Sequence, residues 1–89
     1  MKELRPTTQF RRDLKRAAKR GKDLHKLDAV MDRLARGESL AARHRAHRLH
    51  GEMSGLWECH VEPDWLLVWD EIPDAIILVR CGTHSDLFE

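Results

Sequence analysis

Apolar side chains recur at two different periods along this chain, and the change falls before its middle. Phe10, Leu14, Ala17 and Ala18, and then Leu24, Leu27, Val30, Met31 and Leu34, come mostly three and four positions apart, which places each set on one face of a helix. The first set predicts a helix over 9–20, opened by Thr7 or Thr8 as N-cap behind Pro6 and ended by Gly21. The second predicts a helix from about Asp23 to Gly37. A short join containing glycine makes the two an antiparallel or crossed pair. Ahead of them, positions 2–5 alternate as a short first strand.

Beyond Gly37 the period becomes two. Segments 56–61, 65–69 and 75–80 read as strands, and the connections at 62–64 and 70–74 are short enough for an antiparallel meander. Segment 41–50 reads as a loop that leads into a possible short strand at 47–49, and the tail from Gly82 follows the last strand directly. The expected fold is α+β in the order β-α-α-β-β-β, with the extra strand optional and both helices on one face of a small, largely antiparallel sheet. Alternation then assigns faces. Trp57, Cys59 and Val61, with Ile77, Val79 and Cys81, should meet the helices, which turns His60 and Arg80 toward the open face.

With 89 residues the chain has room for one domain, 1–89, and one modest core. The start MKELRPTTQF has no apolar run, and nothing approaches the roughly 20 apolar residues of a membrane helix. A soluble cytoplasmic protein with no membrane partner is expected. Cys59 and Cys81 are too few for a disulfide scaffold and read as buried thiols. The net charge of +1 conceals a division: positions 1–50 carry fifteen Lys and Arg against six acidic residues, a net +9, while 51–89 carry Arg80 alone against nine, a net −8. A basic half of that strength suits RNA, DNA or an acidic protein partner, or it simply solvates the two helices. Arg11, Arg12, Lys15 and Arg16 lead the polar side of the first.

The open face and its rims should collect His60, Asp64, Arg80 and His84, joined by His47 and His50 if the optional strand pairs. Imidazoles move protons near neutral pH, a carboxylate orients an imidazole or takes a proton itself, and a guanidinium holds a phosphate. Those are the parts of metal-free RNA cleavage, in which the ribose 2′-hydroxyl attacks phosphorus; DNA lacks that nucleophile. Plainer roles stand beside this one. Pro63 and Asp64 are common turn formers, Trp57, Trp65 and Trp69 suit a core, His25 and His44 suit solvent, and Phe88 could cover a sheet edge or stack on a base. A zinc site built from Cys81-x-x-His84 with Cys59 or His60 is disfavoured, because Cys59 and His60 alternate to opposite faces and a second such pair is missing. No metal or other cofactor is expected.

The phrases His47-Arg48-Leu49-His50-Gly51, His60-Val61-Glu62-Pro63-Asp64-Trp65 and Gly82-Thr83-His84-Ser85-Asp86-Leu87-Phe88 resemble those of the YafQ-type messenger-RNA endonuclease toxins, a branch of the RelE/ParE superfamily. The resemblance spans nearly the whole chain. It implies a ribosome-dependent endoribonuclease that cuts messenger RNA in the ribosomal A site, is blocked by a partner antitoxin, contacts ribosomal RNA, and meets operator DNA only within the antitoxin complex as co-repressor. It further implies catalytic roles for His47, His60, Asp64 and His84, a substrate-binding role for Arg80 and an active-site role for Phe88, with the basic helix residues Arg11, Arg12, Lys15 and Arg16 open to ribosomal RNA or to the antitoxin. Arg48 stands where relatives often carry proline. The chain has no tyrosine, so a cleavage chemistry like that of tyrosine-bearing members of the superfamily is not available to it. The alternatives are a ParE-like inhibitor of DNA gyrase and a non-catalytic RNA- or antitoxin-binding module.

Overall fold

The computed structural model describes residues 1–88. Helix α1 (Thr8–Lys19) and helix α2 (Leu24–Ala35) follow strand β1 (Glu3–Pro6), and then come β2 (His47–Arg48), β3 (Trp57–Glu62), β4 (Trp65–Ile72), β5 (Ala75–Gly82) and a short helix α3 (His84–Phe88). The sheet order is β1-β5-β4-β3-β2, with β1 parallel to β5 and every other pairing antiparallel. The optional strand exists, and β1 adds a parallel edge to the expected meander.

Local chemistry sets the helix limits. Thr7 caps α1, its Oγ1 accepting the Phe10 N–H at 3.0 Å and donating to the Val79 carbonyl at 2.9 Å, so one hydroxyl both starts the helix and ties it to β5. Asp23 caps α2 by accepting the His25 N–H at 3.0 Å. Each helix ends in a Schellman pattern over a left-handed glycine: Gly21 (φ 78°) carries the chain so that the Lys22 N–H reaches the Ala17 carbonyl, and Gly37 (φ 72°) does the same for Glu38 and Arg33. A β-carbon at either glycine would strain the turn.

The core lies between the helices and one sheet face. Phe10, Ala17, Leu27, Val30 and Leu34 pack against Cys59, Val61, Trp65, Leu67, Trp69, Ile76, Leu78 and Cys81, each large apolar side chain contributing roughly 1.5–3 kcal/mol. Ala18, expected on this face, is exposed. The face assignment of the last strand needs a larger correction, since Ile76 and Leu78 rather than Ile77 and Val79 face the helices. Val68 pairs with Arg80 but Trp69 pairs with Leu78, which leaves Val79 as an extra residue. That bulge reverses the alternation within β5 and still leaves Cys81 in the core. The opposite face is also closed in places, because Leu66 and Val68 are fully buried yet lie outside the helix-side cluster.

Two Pro-Asp pairs, Pro63-Asp64 and Pro73-Asp74, make the hairpin turns. The second is tighter than expected, and β4 therefore runs on to Ile72. The largest departure is α3, since the tail was expected to follow the last strand without a further element. Its first four residues are organised by Thr83 and Asp86, which exchange hydrogen bonds in a capping box: Asp86 N–H to Thr83 Oγ1 at 3.1 Å and Thr83 N–H to Asp86 Oδ2 at 2.9 Å.

Candidate active site

Strand register decides which side chains meet. His60 on β3 pairs with Leu66 on β4, and Leu66 pairs with Gly82 on β5, so the β3–β4 turn carrying Asp64 and the β5–α3 junction carrying His84 sit at the same end of neighbouring strands. There the His84 backbone N–H donates to Asp64 Oδ1 at 2.9 Å, and the His84 ring Nδ1–H donates to the same oxygen at 2.6 Å. These two bonds from His84 hold the Asp64 carboxyl below its ordinary range, so Asp64 is an anion throughout the neutral range. The His60 ring lies 5.8 Å from that of His84, centroid to centroid, tilted by 54°. Its Nδ1–H donates to the Pro63 carbonyl at 3.2 Å. Each ring is thus anchored through Nδ1, and among the described residues neither Nε2 has a hydrogen-bond partner. Two such imidazoles side by side, one backed by a carboxylate, can take a proton from one oxygen and deliver one to another.

The remaining sequence candidates are placed differently. His47 is on β2, opposite Glu58, with Nδ1–H donating to the Arg45 carbonyl at 2.7 Å and Nε2 3.3 Å from Glu58 Oε1. It flanks the pair from the sheet edge. Phe88 lies four residues after His84 on α3, on the same side of that helix and 47% exposed, in a groove shared with Leu49, His50 and Met53. Arg80 does not present a free guanidinium to an open face. It turns across the edge of β5 to α1, where Nε and an outer nitrogen donate to Asp13 at 2.7 and 3.2 Å. On α1, Arg11, Arg12 and Lys15 are exposed, whereas Arg16 donates to Asp13 at 3.1 Å and lies 3.5 Å from Asp86. Arg48 stacks its guanidinium over Trp57 at 5.0 Å.

Four residues escaped sequence reasoning. Asp13 is 1% exposed and accepts from Arg80, Arg16, Gln9 and the Cys81 N–H. Burial pushes its carboxyl up, but the bonds from Arg80, Gln9 and Cys81 outweigh this and leave it below the ordinary value. Asp86 joins α3 to α1 through a two-pronged contact from Arg20 at 2.6 and 3.2 Å; that contact and the bonds from Thr83 hold it far below the usual carboxylate range. Glu58 is buried under His47 with Oε2 unpartnered among the described residues. His44, expected in solvent, is half-buried and donates from Nδ1 to the His60 carbonyl at 2.6 Å.

Because Asp86 closes the capping box and is held by Arg20, it also fixes the turn that carries His84. Asp86→Ala should lower stability by about 1–2 kcal/mol, the scale of a lost cap, and should broaden the His84 ring resonances in NMR spectra. An unshifted denaturation midpoint with sharp ring signals would show that the turn holds without it.

Both thiols are buried in the core, and burial pushes Cys59 and Cys81 up to about 12, which keeps them protonated and poor ligands. Among the described residues no three His, Cys, Asp or Glu side chains are grouped to hold a metal ion. No helix among them is long and apolar enough to cross a membrane.

The fold, two helices on a small mixed sheet with α3 at its end, is that of the RelE/ParE superfamily. Residues 2–89 match the family described as bacterial toxin of type II toxin–antitoxin system, YafQ, and the chain belongs to that family. It is 38% identical over 81 residues to the mRNA interferase toxin YafQ of Escherichia coli, covering 90% of this chain and 88% of that one. The crystal structure of Escherichia coli YafQ superposes with a TM-score of 0.94 at 33% identity over the whole of both chains. The Escherichia coli DinJ–YafQ toxin–antitoxin complex gives 0.90 at 35% identity, covering 99% of this chain and 98% of the matched one. A metal-bound toxin from Helicobacter pylori gives 0.93 at 38% identity, covering 99% and 100%.

Proposed function

We propose that the chain is an endoribonuclease that cuts messenger RNA on the ribosome by metal-free attack of the 2′-hydroxyl, and so stops translation. The observation that carries this reading is the His60–Asp64–His84 group, with two adjacent imidazoles anchored through Nδ1 and, among the described residues, unpartnered at Nε2. The Escherichia coli relatives named mRNA interferase toxins support it. One imidazole accepts the 2′-hydroxyl proton while the 2′-oxygen bonds to phosphorus. The bond from phosphorus to the 5′-oxygen breaks, and the other imidazole delivers a proton to that oxygen. The products are a 2′,3′-cyclic phosphate and a 5′-hydroxyl. Asp64 orients His84 and balances the charge it gains, His47 assists from the edge, and Phe88 walls or stacks on the substrate.

The partner in this reading is an antitoxin, as in the solved DinJ–YafQ complex; with it the toxin represses its operon, touching operator DNA only through the complex. The exposed cations Arg11, Arg12 and Lys15 offer one face of α1 to the antitoxin or to ribosomal RNA.

The test is a message carrying a single 2′-deoxynucleotide at the cleaved position, read on programmed ribosomes. It should survive intact while the all-ribose message is cut. Cutting of the deoxy message would exclude attack by the 2′-hydroxyl, and failure to cut either would favour the gyrase inhibitor or the binding module.

A further inference from the structure

The engagement of Arg80 by Asp13 leaves a question about charge: which cations meet the RNA phosphates beside the imidazoles? Two other arginines line the same pocket as His60. Residues Ala42–His44 form a single 3-10 turn that lies along β3 beyond the end of its pairing with β2. A pocket of about 270 Å3 opens there, lined by Arg43, His44, Arg45, His60, Val61, Glu62 and Pro63.

The backbone around the pocket holds these residues against strand β3. His44 docks the turn by donating to the His60 carbonyl at 2.6 Å. Arg45 is the one non-glycine residue with positive φ among the described residues, at φ 47° and ψ 47°. In that conformation its carbonyl accepts from the His47 ring at 2.7 Å. A left-handed arginine costs about 1–3 kcal/mol that a glycine would not incur, and the strained turn carries a charged side chain to the pocket. Neither Arg43 nor Arg45 takes part in an ion pair among the described residues. The pocket's carboxylate, Glu62, is already neutralised by Lys22 and Lys26 at 2.9 and 3.0 Å.

We propose that this pocket is a phosphate subsite for single-stranded RNA, with Arg43 and Arg45 as its cations and His44 as the side chain that seats it beside His60. The assignment rests on the endoribonuclease reading and deepens it. An acidic protein segment is the weaker occupant, because the pocket is lined by His60 itself, a member of the candidate catalytic group beside which a substrate strand has to pass. The phosphate comes either from the message or from ribosomal RNA, and both offer the same chemistry.

The experiment compares wild-type protein with the double variant Arg43→Gln/Arg45→Asn. Asparagine tolerates the left-handed conformation, and a thermal midpoint no lower than that of wild type confirms the fold. One arm measures fluorescence anisotropy of a short labelled 2′-fluoro single strand, which keeps its phosphates and cannot be cut. The other measures cosedimentation with ribosomes carrying no message. The variant should bind at least one probe about tenfold more weakly, and its salt slope should fall by about 1.4 if each arginine meets one phosphate of a single strand. Weakening toward the oligonucleotide identifies a message phosphate; weakening toward ribosomes alone identifies a ribosomal one. Unchanged affinity and slope in both arms overturns the subsite. Cleavage by wild-type protein is read separately, so the nuclease reading can fail while the binding arms still decide the pocket.

Discussion

Replacing His84 with alanine is expected to abolish messenger-RNA cleavage and leave the protein folded. Loss of a positioned proton-transfer group lowers a rate by about 100- to 10,000-fold, and the side chain is 55% exposed with Asp64 as its partner, so little packing goes with it. Stability should stay within about 0.5 kcal/mol of wild type. Asp64→Asn should fall between wild type and His84→Ala, since an amide still accepts a hydrogen bond but no longer balances a charged ring. Asp64 lies below its ordinary value and is already ionised above about pH 4. Its protonation should therefore add no limb to the pH–rate profile in the neutral range, and His60→Ala should lower the cleavage rate as a second loss of a proton-transfer group. Primer-extension mapping of a translation reaction, followed by single-turnover rates on programmed ribosomes, reads all three variants. Full activity in His84→Ala would move the chemistry away from this corner of the sheet. If Asp64→Asn and His84→Ala leave toxicity intact as well, the gyrase inhibitor becomes the better reading, because that function has no use for the pair.

The helices were legible because several signals coincide in each. An apolar stripe, an oxygen-bearing N-cap and a terminal glycine mark α1 and α2, and their ends fall within one or two residues of expectation. The strands were legible as runs, but the phase of β5 was not. All four residues Ile76-Ile77-Leu78-Val79 are apolar, so either phase yields an apolar face, and nothing in the run marks Val79 as the bulge. Helix α3 is five residues long, too short for periodicity, although Thr83-x-x-Asp86 is a capping signature that could have announced it.

At the candidate site, the meeting of His60, Asp64 and His84 follows from a tight turn and from strand register; sequence reasoning reaches the short connection and the shared rim but not the register. The engagement of Arg80 does not follow from either. It depends on where β1 stops pairing with β5, at Pro6 and Leu78, and on the carboxylate that occupies the β5 edge just beyond. The signal was present in the spacing, for Asp13 falls three residues after Phe10 and four before Ala17, on the buried face of α1. A carboxylate on such a face requires a partner, and Arg80 is the one Lys or Arg in positions 51–89.

Asp13→Ala should then cost more stability than any substitution in the candidate active site. Asp13 is where α1 and β5 are tied together, because one carboxylate accepts from Arg80, Arg16, Gln9 and the backbone of Cys81. Removing it leaves a partly buried guanidinium without its counter-charge and a buried N–H without an acceptor, a combination worth about 3–5 kcal/mol. For a domain of this size each kcal/mol moves the midpoint by about 4–8 °C, so thermal unfolding should shift by more than about 12 °C. Substitution to leucine should not rescue it, since the cavity is filled but Arg80 and Cys81 stay unsatisfied. Asp13→Leu with Arg80→Met should recover part of the loss, because both charges are then gone. The pH dependence has a definite sign. The folded carboxyl lies below its unfolded value, so its contribution is fully present above about pH 4 and is lost as the pH falls through the lower folded value. Wild-type stability should drop with acid through that window, and Asp13→Asn should show a shallower drop over the same range. Equal acid slopes for the two proteins would mean that Asp13 binds its proton equally in the folded and unfolded chain, and the tie between α1 and β5 would have to be sought in Thr7 and the core instead.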